Sequence, residues 1–278
     1  MAVLNEKSKE KTSETPVKGG LRIEISDGQL IPERGDNALF SSWNIAFFGA
    51  LALLIILPIV KPDPYWTILT FIPDGVLVTF EVTVISILLS LVVGLFVGLG
   101  RISRNILINR IATVYVEIIR GIPLLVQLFY IYFALGGILR LSPFISAITA
   151  MTICYGAYMA EIFRAGLQSI PRGQFEAALA LGLSRGQAIR KIILPQTIKI
   201  ILPPVGNEFI AMLKDSSLVS ILAVSDLLRR AREYSSTTFE YFEAFTVVAL
   251  VYLLLTLFFS KLVGILEERL DNRDSKKN

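Results

Sequence analysis

The chain has 278 residues, of which 54% are hydrophobic and only 18% charged, with a mean hydropathy of +0.64. Soluble domains are about as apolar but roughly a quarter charged, so the shortage of charge argues against a plain soluble globule and the apolar content excludes disorder. A formal net charge of +4, no histidine and a single cysteine remove His-based acid–base chemistry, Ser-His-Asp triads, His metal sites and a disulfide scaffold, and leave nucleic-acid binding unsupported unless the cations cluster.

Residues 1–42 hold six Lys/Arg and seven Asp/Glu with no lasting period, which predicts a polar, flexible tail with a short strand at 21–25. The first apolar stretch begins only at Trp43, too late for a secretory signal, so the start of the chain is expected to be retained. Residues 43–60 carry no charge, nor do 82–100, which extend upstream through Glu81 to Val76. About 20 apolar residues rising ~1.5 Å each cross a hydrocarbon layer of roughly 30 Å, so both are expected spans. Residues 123–139 and 144–160 are separated only by Arg140-Leu141-Ser142-Pro143 and predict a membrane hairpin. Residues 198–224 are long enough to cross but contain Pro203, Pro204, Glu208, Lys214 and Asp215, which predicts a kinked or interrupted span. Residues 245–260 make a last span, extending to 266 if Lys261 snorkels. The expectation is an all-α integral membrane protein with six transmembrane helices, in which Cys154 is a small buried hydrophobe.

Basic residues in short loops are retained in the cytoplasm. Arg101, Arg104, Arg110 and Arg120 mark loop 101–122 as cytoplasmic, and Arg164, Arg172, Arg185, Arg190, Lys191 and Lys199 mark 164–199. The loops 61–75 and 140–143 carry one cation each, and 223–243 sets three Arg against four acids. An even number of spans then places both termini in the cytoplasm.

Within the second basic segment, Glu176-Ala177-Ala178 is followed, after three intervening residues, by Gly182 and, after nine more, by Ile192-x-Leu194-Pro195. The spacing predicts a short helix over 173–181 with Gly182 in a left-handed C-terminal cap, the conformation glycine adopts without a steric cost. Ser184-x-x-Gln187 reads as a reciprocal capping pair opening a second helix, expected to end at Pro195, whose backbone lacks an N–H. The same stretch also looks like a DNA-binding helix-turn-helix, but it is tethered close to spans on both sides and lacks a third helix.

This pattern resembles the coupling loop of permease subunits of binding-protein-dependent ABC importers. The resemblance implies that loop 168–195 docks on a separate ATP-hydrolysing subunit, with Glu176, Ala177, Ala178, Gly182, Ile192, Leu194 and Pro195 as the coupling residues. Three further stretches, Arg120-Gly121-Ile-Pro123-Leu-Leu-Val-Gln127 with Tyr130 and Tyr132, Tyr155-Gly156-Ala-Tyr158-Met-Ala-Glu161-Ile-Phe-Arg164-Ala-Gly166, and Asn207 to Leu218, look like the polar amino-acid uptake branch. The resemblance covers about 75–268 and implies a five-helix permease core there, with 43–60 as an added N-terminal helix and 269–278 as a cytoplasmic tail. It also implies a bacterial inner-membrane location and four partners: a dimer of ATP-binding subunits, an extracytoplasmic amino-acid-binding protein, a second permease and membrane lipid. No nucleic acid is expected.

Candidate contacts for a polar substrate follow from charge in apolar runs. Glu161 must face protein or water, and either binds a substrate amino group, pairs with Arg164 one turn on, or simply sits at the cytoplasmic interface. Asn207, Ala211, Lys214, Asp215 and Leu218 share a helical face, where Lys214 and Asp215 complement a zwitterion and Ser216 and Ser217 add hydroxyls; a structural pair at a helix break is the equal alternative. Tyr130, Tyr132, Tyr155 and Tyr158 could line a path for polar solutes or be interfacial aromatics. No phosphate-loop pattern occurs, so ATP and Mg are expected on the partner and no cofactor on this chain, which is not read as an enzyme. The rival class is a self-contained secondary transporter or channel driven by an ion gradient.

Overall fold

The computed structural model describes residues 42–275, so the polar tail and the short strand expected at 21–25 lie outside the described residues. Every regular element among those described is helical. Among the described residues, four stretches are long and apolar enough to cross a membrane: α1 (Ser42–Val60), α2 with α3 (Pro62–Phe71 and Pro73–Arg101), α7 (Pro143–Gln168) and the Tyr241–Leu270 part of α12 (Tyr241–Ser275). A fifth arises if α4 (Ile106–Gly121) and the run Leu124–Leu139 count as one span, bent by 102°.

The centre of the fold is the packing of α3 on α7. Gly94 and Gly98 stand where α3 meets Met159, Ala160 and Phe163, so close that a β-carbon at Gly94 would lie 2.3 Å from that of Met159. Small residues one turn apart let two helical backbones approach in this way. Ser90 Oγ donates to the Thr152 carbonyl at 3.3 Å and Tyr115 Oη to the Ile153 carbonyl at 2.7 Å, tying α3 and α4 to α7. Val82, Leu128, Met151, Tyr155, Met159 and Met212 form the core around this contact.

Helix α1, expected as an added anchor, runs antiparallel to α12. At one end Trp43 Nε1 donates to the Leu257 carbonyl at 3.0 Å while the Lys261 ammonium sits 5.6 Å above the indole; at the other, Lys61 Nζ lies 2.9 Å from Glu243. Ile45, Phe48, Ile55 and Ile59 on its outer side are exposed, as a lipid-facing helix requires.

Several expectations are corrected. The run 101–122 is not a plain loop, because α4 fills most of it, capped by Asn105 Oδ1 accepting from the Leu107 and Ile108 amides. Its exposed apolar residues Leu107, Ile111, Val114 and Ile118 recur at helical spacing. Residues 123–139 are not one regular helix: α5 (Leu124–Phe129), a π-helical turn (Tyr130–Leu135) and α6 (Gly136–Leu139) follow one another. The second hairpin helix does not end at Pro195. After α9 (Arg185–Ala188) a π-helical turn (Ile189–Ile193) leads directly into α10 (Leu194–Asp215), so the helical backbone continues through Pro195, just past the point where the π-helical turn shifts the hydrogen-bond register. Pro203 and Pro204 lie inside this continuous helix rather than at an interruption. The span expected over 198–224 is thus α10 plus a 3₁₀ segment (Ser216–Leu222), packed on α7 and α12 and not among the helices apolar enough to cross alone. The connection 223–243 holds α11 (Leu227–Thr238), opened by Asp226, whose carboxylate accepts from the Leu228 and Arg229 amides.

Candidate functional site

Two features outside the apolar core carry chemistry or contact. The first is a helical hairpin built from α8 (Arg172–Ala180) and α9. The Gly182 amide donates to the Leu179 carbonyl at 2.9 Å and the Leu183 amide to the Ala178 carbonyl at 3.1 Å, the paired bonds of a Schellman cap, with Gly182 at φ +83°. Ser184 Oγ accepts from the Gln187 amide while Gln187 Oε1 accepts from the Ser184 amide, so the expected reciprocal cap is present. The turn projects Leu181, 83% exposed, between the exposed small residues Ala177, Ala180 and Gly182, with Glu176 alongside. Ala178 and Ala188 are fully buried where α8 and α9 touch. Of the motif residues, then, Glu176, Ala177 and Gly182 are open to a partner, Leu194 and Pro195 are exposed at the start of α10, and Ala178 and Ile192 face inward wholly or in part. A cavity of about 460 Å³ lies beneath α8, lined by Arg104, Pro171, Phe175, Glu176 and Ile193 among others.

The second feature is a polar cleft of about 510 Å³ among the α4–α5 bend, α7 and α10. Arg120, Tyr155, Tyr158, Glu208 and Asp215 line it. Gln127 holds the bend by donating both hydrogens of its amide, at 2.9 and 2.8 Å, to the Ile119 carbonyl, which also accepts from the Ile122 amide, and to the Ile122 carbonyl where α4 stops. The Arg120 guanidinium stacks 5.1 Å over the Tyr158 ring, and Tyr155 Oη donates to Asp215 at 2.8 Å. Two carboxylates against one guanidinium leave the cleft net acidic, and its volume falls in the ~300–1,000 Å³ range of small-molecule sites.

The cleft gathers only part of the expected set. Asp215 lines it, but Asn207 and Lys214 are exposed elsewhere on α10. Ser216 is fully buried with its hydroxyl bonded to the Leu213 carbonyl at 2.7 Å, and Ser217 is not among the lining residues. Glu208 and Arg120 were missed. Glu208, Ala211 and Asp215 are themselves spaced by 3 and 4 residues, so a face drawn one position away from Asn207 finds them. Glu161 lies outside the cleft lining. Its carboxylate is bonded by Arg101 from α3 and by Arg164, whose Nε lies 3.1 Å away, which joins the ends of α3 and α7. Tyr130 is exposed and Tyr132 packs against the core rather than the cleft.

A family model described as "binding-protein-dependent transport system inner membrane component" matches residues 86–272. The glutamine transport system permease protein GlnP of Escherichia coli K12 is 39% identical over 208 residues, 74% of this chain and 95% of its own length. The probable glutamine ABC transporter permease protein GlnM of Bacillus subtilis 168 is 43% identical over 199 residues, 71% of this chain and 92% of its own. A crystal structure of an amino acid ABC transporter with histidines is 40% identical, covers 77% of this chain and 97% of its own, and superposes with a TM-score of 0.68. Helix α1 ends before the family match begins.

Proposed function

This chain belongs to the family of binding-protein-dependent transport system inner membrane components, and from that premise we propose that it is the permease subunit of an ATP-driven importer of polar amino acids. A permease subunit moves solute and catalyses no reaction of its own. The chain lies in the inner membrane with the 168–195 hairpin and both termini on the cytoplasmic side. A separate pair of ATP-binding subunits, carrying ATP and Mg, grips that hairpin, and substrate arrives from an extracytoplasmic binding protein. A second permease completes the passage, since few spans are available in one chain to enclose it.

One observation supports the hairpin's role above the rest: a rigid, doubly capped turn presents an almost fully exposed leucine amid small side chains. Burying a leucine is worth about 1.5–3 kcal/mol, so such a knob suits a groove on a partner. The small neighbours Ala177, Ala180 and Gly182 let that partner approach the backbone. Closure of the ATP-binding subunits moves α8 over the cavity beneath it, and α10 carries the displacement to the cleft.

In the cleft, Asp215 and Glu208 suit the substrate's ammonium and Arg120 its carboxylate, with Tyr155 holding Asp215 in position. The net acidic balance favours neutral and cationic amino acids over acidic ones, consistent with the glutamine named for the matched relatives. The test is co-purification with the ATP-binding subunit. Leu181→Asp should weaken retention about tenfold or more, the equivalent of ~1.4 kcal/mol. Wild-type retention by Leu181→Asp would overturn the docking role.

A further inference from the structure

The hairpin is linked to α10 by more than the chain that joins them. Gln196, in the first turns of α10, donates through Nε2 to Gln174 Oε1 of α8 at 2.7 Å and to the Ile192 carbonyl at 2.9 Å. The two glutamines are 22 residues apart in sequence. The Ile192 carbonyl settles which way the Gln196 amide points, since the reverse orientation would set two oxygens against each other, and that in turn makes Gln174 the acceptor. Both hydrogens of the Gln196 amide are therefore used, one on the π-helical turn just ahead of α10 and one on α8. Both side chains are half-buried.

The covalent route between the same helices is the longer one. It passes through the Gly182 turn, the four-residue α9 and the π-helical turn Ile189–Ile193 before α10 begins. The Gln174–Gln196 bond crosses the base of the hairpin and bypasses all three. Beyond Gln196, α10 runs as one unbroken helix through Asp215. Nineteen residues at ~1.5 Å each put Asp215 about 28 Å further along the helix, so Gln196, Glu208 and Asp215 stand on one element, with Pro203 and Pro204 between Gln196 and the cleft.

We propose that the Gln174–Gln196 amide pair is the coupling strut of this permease: a pair of positioning residues that makes α8 and α10 move together. This rests on the proposed docking of the hairpin, and it adds a residue-level path from the docked helix to the cleft. A strut of this kind governs how much transport each ATP drives. It leaves docking and hydrolysis themselves to other groups.

The experiment reconstitutes the full complex in proteoliposomes and measures uptake, ATP hydrolysis and subunit retention together. Gln174→Leu and Gln196→Leu, which keep volume but remove the bond, should retain the ATP-binding subunit and keep hydrolysis within about twofold of wild type. Uptake per ATP should fall about fivefold or more, the lower end of coupling between distant sites. The double variant should be no worse than either single one, because the two residues act as a unit. Gln174→Glu, which keeps an acceptor oxygen, should restore coupling. Unchanged uptake per ATP in both leucine variants, or additive losses in the double variant, overturns the strut. Gly182→Asp in the same assay separates the two readings. If it leaves retention and uptake intact, docking through the hairpin is wrong; if it abolishes them while Gln174→Leu couples normally, only the strut is wrong.

Discussion

Adding one methyl group at Gly94 should be among the most damaging small changes in the protein. The new β-carbon would stand 2.3 Å from the Met159 β-carbon and 3.0 Å from the Met159 carbonyl carbon and the Ala160 amide nitrogen. Carbon atoms pack at about 3.5–4.0 Å, so α3 must move more than ~1 Å off α7, and a gap of ~0.5–1 Å already forfeits a quarter to a half of the dispersion attraction between each pair of facing atoms. Two of the atoms it meets are backbone, which no rotamer change can relieve. Overpacking of this kind costs about 1–3 kcal/mol, partly offset by up to ~1 kcal/mol from alanine's higher helix propensity. A net loss of about 1–2 kcal/mol lowers the melting temperature by roughly 2–8 °C in a protein of this size. Gly49→Ala is the matched control, because a β-carbon there meets nothing within 4 Å. It should melt at or slightly above the wild-type temperature. Thermal unfolding of the detergent-solubilised protein reads both. If Gly94→Ala melted with Gly49→Ala, the close approach of α3 and α7 would be refuted.

Two further outcomes follow from charge. Asp226 is fully buried at the start of α11, and burial pushes its carboxyl up to about 6 against the pull of the Arg229 and Leu228 amides. The fold therefore favours the protonated form: this contribution to stability is complete below the unfolded value near 4 and is lost as pH rises through about 6. Melting temperature should fall across that window in the wild type. Asp226→Asn, which keeps a capping oxygen, should flatten that part of the profile, and superimposable profiles would contradict the assignment. In the cleft, a unit charge ~6 Å away at an effective permittivity of ~20 is worth about 3 kcal/mol. Glu208→Gln should therefore cut the advantage of a cationic over an acidic amino acid in competitive uptake by about tenfold, even if half of that is screened. An unaltered preference would remove Glu208 from the substrate path.

What could be read before the fold was known was what is encoded locally. The α8–α9 hairpin is legible because Gly182 supplies the left-handed residue and Ser184 with Gln187 caps its neighbour, all within a few positions. The apolar spans are legible from length alone. Helix α4 was hidden because its own Arg110 and Arg120, with Arg101 and Arg104 just ahead of it, look like a cytoplasmic loop, although Leu107, Ile111, Val114 and Ile118 keep a helical period between them. Pro195 looks like a terminator because an interior proline usually is one, but the π-helical turn just ahead of it shifts the hydrogen-bond register there and the helix runs on. The cleft was half legible. Asp215 was found, yet anchoring the face on Asn207 rotated it away from Glu208, and Arg120 belongs to a different helix altogether. The Gln174–Gln196 bond leaves no local trace, because nothing in either segment announces that the other will lie beside it.

Transport through this chain is, at the centre of this reading, driven from outside it. Purified chain in proteoliposomes, with and without ATP-binding subunits and substrate-loaded binding protein, tests that claim most directly by uptake of labelled glutamine. Accumulation is predicted only when the ATP-binding subunits and ATP are present, and it should be unaffected by collapsing proton and sodium gradients. Accumulation by the chain alone, driven by an imposed ion gradient, would contradict it.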